Sequence, residues 1–155
     1  MIEAGDKVPD VTLETPDGGR LRLADMLGNT LVLFFYPKDD TSGCTAEAKD
    51  FSHLKAAFEM EAGAYILGVS KGTSAGKAKF IDKHDLRIAL ATDSDESVCE
   101  AFGTWVEKSM YGRKYMGIDR ATFLIDRDGL VKKVWRKVKV PGHAEEVLEA
   151  ARALP

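Results

Sequence analysis

The sequence predicts an α/β fold: a mixed central sheet covered on both faces by helices. Three observations carry this. Leu31-Val32-Leu33-Phe34-Phe35-Tyr36 is an unbroken apolar run, the pattern of a strand buried on both sides. From about Ser42 to Glu61 helix formers dominate, and Phe51, Leu54, Ala57 and Phe58 recur at spacings of three and four. A second apolar run, Ala64–Val69, follows directly, so strand, helix and strand alternate.

The remaining elements fall around this unit. Val11-Thr12-Leu13 and Arg20-Leu21-Arg22-Leu23 alternate on either side of Pro16-Asp17-Gly18-Gly19, which reads as a hairpin. Gly28-Asn29 breaks the chain before the strand at about Thr30–Tyr36. Gly63 ends the long helix, because a left-handed cap favours glycine. After a loop at Ser70–Thr73, a helix is expected over Ala75–Lys83 and a short strand over Ile88–Ala91. Asp93–Asp95 supply capping oxygens ahead of a helix at Glu96–Phe102. Met110-Tyr111-Gly112-Arg113-Lys114-Tyr115-Met116 reads as a polar-aromatic surface loop. Ala121–Ile125 and Leu130–Trp135 form a hairpin around Asp126-Arg127-Asp128-Gly129, and Ala144–Leu154 closes the chain as a helix.

A chain of 155 residues is expected to form one domain, residues 1–155. Its 45% hydrophobic and 30% charged residues are ordinary for a globular protein. The net charge of −3 gives no general attraction to nucleic acid or to an anionic membrane. No apolar run approaches the roughly 18–20 residues that span a bilayer, and the N-terminus has no signal-peptide pattern. Two cysteines 55 positions apart make no disulfide framework, so a reducing cytoplasm is the expected location. His53, His84 and His143 are scattered, without metal-ligand spacing, and no cofactor is expected. Lys132-Lys133-Val134-Trp135-Arg136-Lys137-Val138-Lys139 reads as an edge strand protected by lysines rather than a nucleic-acid patch.

Cys44 is the candidate nucleophile. It stands where the buried strand has ended and the long helix begins. Unpaired N–H groups and the positive end of the helix dipole gather there, and both favour a thiolate. Thr41, three residues earlier, has a hydroxyl that can donate and accept, although Thr-Ser-Gly is also ordinary turn chemistry. Pro37 fixes φ as the chain leaves the strand.

Pro37-Lys38-Asp39-Asp40-Thr41-Ser42-Gly43-Cys44, with its Pro-x-x-x-Thr-x-x-Cys spacing, resembles the active-site loop of the peroxiredoxins. The wider PKDDTSGCTAEAKDF and a second block, FGTWVEKSMYGRKYMGIDRATFLIDRDG, resemble the bacterioferritin comigratory protein branch, also called peroxiredoxin Q. The likeness runs from about Asp6 to about Leu148. It implies a thioredoxin-like core once the N-terminal hairpin and the segment near 90–118 are set aside. It also implies a peroxidase that reduces hydrogen peroxide and organic hydroperoxides through a sulfenic acid on Cys44. In that reading Thr41 bonds the thiolate and the peroxide oxygens, the Pro37 ring shields the sulfur, and Arg120 stabilises thiolate and leaving oxygen. Glu47, one helical turn after Cys44, is placed to orient Arg120 by a bidentate pair; without the family it is an exposed acid of the first turn.

Two departures bear on recycling. Many members carry a resolving cysteine where this chain has Lys49, and others near Phe80; both are absent. Cys99 is the remaining thiol, read either as helix packing beside Val98 and Phe102 or as a resolving cysteine. The expected reductant is therefore thioredoxin, glutaredoxin or a low-molecular-weight thiol. A monomer is the default, with a dimer as the alternative. A disulfide oxidoreductase on the same fold would need Cys-x-x-Cys, but position 47 is glutamate. A non-catalytic module is disfavoured by Cys44, Thr41 and Arg120 together.

Overall fold

A computed structural model describes residues 1–155. The first hairpin pairs β1 (Thr12–Glu14) with β2 (Arg20–Arg22), and Leu23 then starts a short 3-10 turn. β3 (Thr30–Phe35) is buried at all six positions and leads into α1 (Ser42–Ala62). Gly63 caps α1 in the left-handed region at φ 59°. β4 (Ala64–Ser70), α2 (Ser74–His84), β5 (Ala89–Thr92) and α3 (Ser97–Phe102) follow. α3 starts one residue after the expected position. Glu96 has φ 63°, and Asp95 Oδ1 accepts from the Ser97 amide at 3.1 Å.

The segment expected to be a surface loop is instead a two-stranded hairpin, β6 (Trp105–Met110) with β7 (Arg113–Ile118). Its two-residue turn places Tyr111 at φ 51° and Gly112 at φ 78°. Two positive φ angles make the turn that best matches strand twist. Tyrosine is an uncommon residue for the first of those positions, which hid the hairpin in the sequence. β8 (Ala121–Ile125), β9 (Val131–Trp135) and α4 (His143–Arg152) complete the chain.

The main sheet runs β2-β1-β5-β4-β3-β8-β9. β3, β4 and β5 are mutually parallel, and β8 and β9 continue antiparallel beyond β3. β9, with Lys132 and Lys133 exposed, forms one edge. Because side chains alternate along a strand, β3 feeds two cores. Val32, Phe34 and Tyr36 pack with Phe51 and Phe58 of α1, Phe80 of α2, and Val147 and Leu148 of α4. Leu31, Leu33 and Phe35 pack on the opposite face with Leu13, Leu23, and Val98 and Phe102 of α3. No helix is long and apolar enough to cross a membrane.

Candidate active site

The C-terminal end of β3 delivers the chain to a tight loop, Pro37–Thr41, that turns it into α1. Cys44 is the third residue of α1 and is 1% exposed. Its burial follows from helix geometry. Positions 44, 47, 48 and 51 lie on one face at three- and four-residue spacing, and that face is pressed against the sheet.

Arg120 is the residue just before β8, whose Ala121 pairs with Phe35 at the end of β3. This antiparallel register brings a residue 76 positions away to the helix start. Arg120 Nη2 donates to Cys44 Sγ at 3.3 Å, while Nη1 donates to Glu47 Oε1 at 2.7 Å. Burial works against the guanidinium charge, but Glu47 and Cys44 outweigh it and hold the Arg120 pKa above its ordinary value.

Glu47 differs from the expectation in two ways. It is 1% exposed rather than an exposed acid, and its contact with Arg120 is monodentate, because Oε2 is buried without a partner. Arg120 divides its two terminal nitrogens between carboxylate and sulfur, so a fork on Glu47 alone is not available. Burial pushes the Glu47 carboxyl up to about 7, against the opposing pull of Arg120.

Thr41 occupies the N-cap position but its side chain makes no cap hydrogen bond. Its hydroxyl donates to the Lys38 carbonyl at 3.1 Å, which directs the oxygen lone pairs elsewhere. Pro37 is half-buried directly after the strand. Lys108 of β6 comes near enough to Asp119, Arg120 and Cys44 to feel their charges, and its burial lowers its pKa. Behind the site, His143 Nε2 lies 2.7 Å from the Thr122 hydroxyl, and burial lowers the imidazole to about 4.

Cys99 does not join this group. It is fully buried in α3, in the core on the other face of the sheet. Burial pushes its thiol up, and Asp93, whose carboxylate accepts from the Cys99 amide at 2.7 Å, adds to the effect. The sequence reading also passed over the residues that tie the Pro37–Thr41 loop to α2. Asp39 bonds to Lys77, and Asp40 bonds to Lys83 and His84. One signal was available: Lys77 shares the apolar face of its helix with Phe80 and Ile81.

The arrangement of a buried thiol, a guanidinium on the sulfur and a helix N-terminus suits nucleophilic attack by sulfur with stabilisation of a departing oxyanion. The AhpC/TSA family model matches residues 4–134. A putative peroxiredoxin bcp from Coxiella burnetii is 46% identical over 147 residues, 95% of this chain and 97% of its own. Peroxiredoxin Bcp from Bacillus subtilis is 44% identical over 151 residues, covering 97% and 96% of the two chains. The solved structure of Xanthomonas campestris bacterioferritin comigratory protein, studied for alkyl peroxide reduction, superposes with a TM-score of 0.90 at 42% identity, over 97% of this chain and 98% of that one. BcpB from Mycobacterium tuberculosis gives a TM-score of 0.88 at 33% identity, over 100% and 99%.

Proposed function

Since the chain belongs to the AhpC/TSA family, as a peroxiredoxin with the thioredoxin-like fold and hence a thiol-dependent peroxidase, we propose that Cys44 is the nucleophile. The Cys44 thiolate attacks the distal oxygen of a hydroperoxide. A sulfur–oxygen bond forms, the oxygen–oxygen bond breaks, and the electron pair leaves on the alkoxide or hydroxide, which takes up a proton. The product is the sulfenic acid of Cys44 together with an alcohol or water. The observation that carries this reading is the Arg120 guanidinium, bonded to Sγ at 3.3 Å and held by Glu47 at 2.7 Å. A cation fixed there stabilises the thiolate before attack and the leaving oxygen during it. Thr41 contributes an oxygen at the helix entrance, and Pro37 covers the sulfur from the loop side.

Recycling follows thiol–disulfide chemistry. An external thiol condenses with the sulfenic acid and releases water, and a second thiol cleaves the mixed disulfide. We assign the reductant to the class of thioredoxin, glutaredoxin or a small thiol, acting on a monomer in the cytoplasm. Hydrogen peroxide and organic hydroperoxides are the substrates.

Replacing Cys44 with serine tests the assignment. Neutral serine hydroxyl is not a nucleophile at oxygen, and no sulfenic product can form. The expected result is complete loss of peroxide consumption with a folded protein by circular dichroism. Substantial turnover by Cys44→Ser would falsify the assignment.

A further inference from the structure

Lys77 is fully buried on α2, yet it carries the head group of a cation. Its Nζ lies 2.6 Å from Ser70 Oγ, 3.0 Å from the Lys71 carbonyl, and 3.1 and 3.3 Å from the two oxygens of Asp39. It also stands over the Tyr36 ring at 5.5 Å. All its polar neighbours are acceptors in this arrangement, which matches the three N–H donors of an ammonium. Burial lowers the Lys77 pKa, and Asp39 opposes that shift.

Asp39 is the hub. Its Oδ1 accepts from the Tyr36 hydroxyl at 2.6 Å and from Ser70 Oγ at 3.2 Å, in addition to Lys77. The ends of β3 and β4 and the first turn of α2 therefore converge on one loop residue. That residue is two positions after Pro37 and two before Thr41. Asp40, at φ 61°, adds a second strap to the same helix, through Lys83 Nζ and His84 Nε2, each at 2.7 Å. Stability alone is a poor reason for such a lysine. A buried ion pair is often no more stabilising than an apolar side chain of the same volume, and its best-attested use is to fix one arrangement.

We propose that Lys77 is a positioning residue for peroxide reduction, a buried cation that acts through Asp39 to hold the Pro37–Thr41 loop over Cys44. The inference rests on the assignment of Cys44 and its loop given above. A loop displaced by about 1 Å is enough to lose about a hundredfold in rate.

The test compares two reactions of Cys44 in the full chain. Peroxide reduction needs the loop groups aligned on the substrate, whereas alkylation by iodoacetamide needs only a reachable thiolate. Lys77→Met is expected to lower the second-order rate of Cys44 oxidation by hydrogen peroxide by about tenfold to a hundredfold. Its alkylation rate should fall by less than about threefold, or rise. Asp39→Asn should reproduce the loss, and the double variant should be no slower than the slower single, because the two residues act as one unit. If Lys77→Met does not fold, Lys77→Gln serves, since its shorter side chain still offers N–H donors without charge. Unchanged peroxide rates in Lys77→Met and Lys77→Gln would overturn the inference. So would an equal fall in both reactions that follows a lowered Tm. A wild-type Cys44 no faster with peroxide than free cysteine would instead overturn the assignment of the site.

Discussion

Arg120 and Glu47 meet at 2.7 Å through a single hydrogen bond, and the second carboxylate oxygen of Glu47 has no partner. That geometry leaves the other arm of Arg120 free for the sulfur of Cys44 at 3.3 Å. Arg120→Ala should therefore slow oxidation of Cys44 by hydrogen peroxide by about a hundredfold to a thousandfold, the usual effect of removing one donor from a developing oxyanion. The fold should survive, because Glu47 can take up a proton once its cation is gone. Arg120→Lys should recover little: one ammonium cannot hold a fixed fork on two partners. Stopped-flow measurement of both variants decides this: wild-type rates in Arg120→Ala would make Arg120 a bystander, and wild-type rates in Arg120→Lys would show that a single charge suffices without the fork.

The same buried cluster predicts an unusual pH dependence of stability. Glu47 is raised from 4.5 to about 7, so the folded state binds its proton more tightly than the unfolded chain does. Its contribution is fully present below 4.5 and is lost as pH rises through about 7. His143 is lowered from 6.5 to about 4, so its contribution is present above 6.5 and is lost as pH falls through about 4. Each is worth ~3 kcal/mol, and between pH 4.5 and 6.5 the two slopes oppose each other. Relative to wild type, Glu47→Gln should be more destabilised at pH 4.5 than at pH 7. His143→Asn should tilt the other way. Urea unfolding across this range reads both tilts; differences that do not change with pH would refute the pairing.

Gly68 in β4 predicts a packing limit. A Cβ there would stand 2.6 Å from Phe34 Cζ and 2.7 Å from Leu90 Cδ2, both in the core beneath α1 and α2. Those side chains are fully or nearly fully buried and have little room to move. Gly68→Ala is expected to cost about 1–3 kcal/mol by overpacking, or about 2–4 °C in Tm for each kcal/mol. A thermal melt at or above wild type would contradict the packing described for this face.

Much of this was legible in the residues because it depends on local pattern. The run Leu31–Tyr36 and the spacing of Phe51, Leu54 and Phe58 carry burial directly in their order. Cys44, Thr41 and Pro37 lie within eight consecutive positions, so their grouping needs no tertiary contact. Arg120 required the resemblance, since β8 must pair with β3 before it can meet Cys44, 76 positions away. The hairpin of β6 and β7 was hidden because Tyr111 accepts a positive φ against its own preference. The part of Glu47 beside Arg120 also came from the resemblance; read alone, a first-turn acid is normally solvated, and only the register of α1 on the sheet turns it inward. The Asp39–Lys77 pair joins a loop to a helix 38 residues later, and only a lysine on an apolar helix face hinted at it.

The last prediction concerns the fate of the sulfenic acid. Residues 44 and 49 of an intact helix are separated by about 7.5 Å of rise and roughly 140° of rotation, and position 49 is an exposed lysine in any case. Cys99 is the other thiol, and the seven-stranded sheet stands between it and Cys44. Cys44 packs with Phe51 and Tyr36 on one face; Cys99 packs with Phe35 and Phe102 on the other. A disulfide needs Cα atoms within about 6.8 Å, so bridging them requires α1 or α3 to leave the sheet. Burial also keeps Cys99 in its thiol form, and attack on a sulfenic acid needs a thiolate. A one-cysteine cycle follows, in which an external thiol attacks Cys44 directly. After one equivalent of hydrogen peroxide, dimedone should trap Cys44, and Cys99 should remain available to alkylation once the protein is denatured. Cys99→Ser should retain wild-type turnover with the same reductant. Rapid loss of both thiols, with an intrachain peptide crosslink between 44 and 99, would overturn this and make Cys99 the resolving residue.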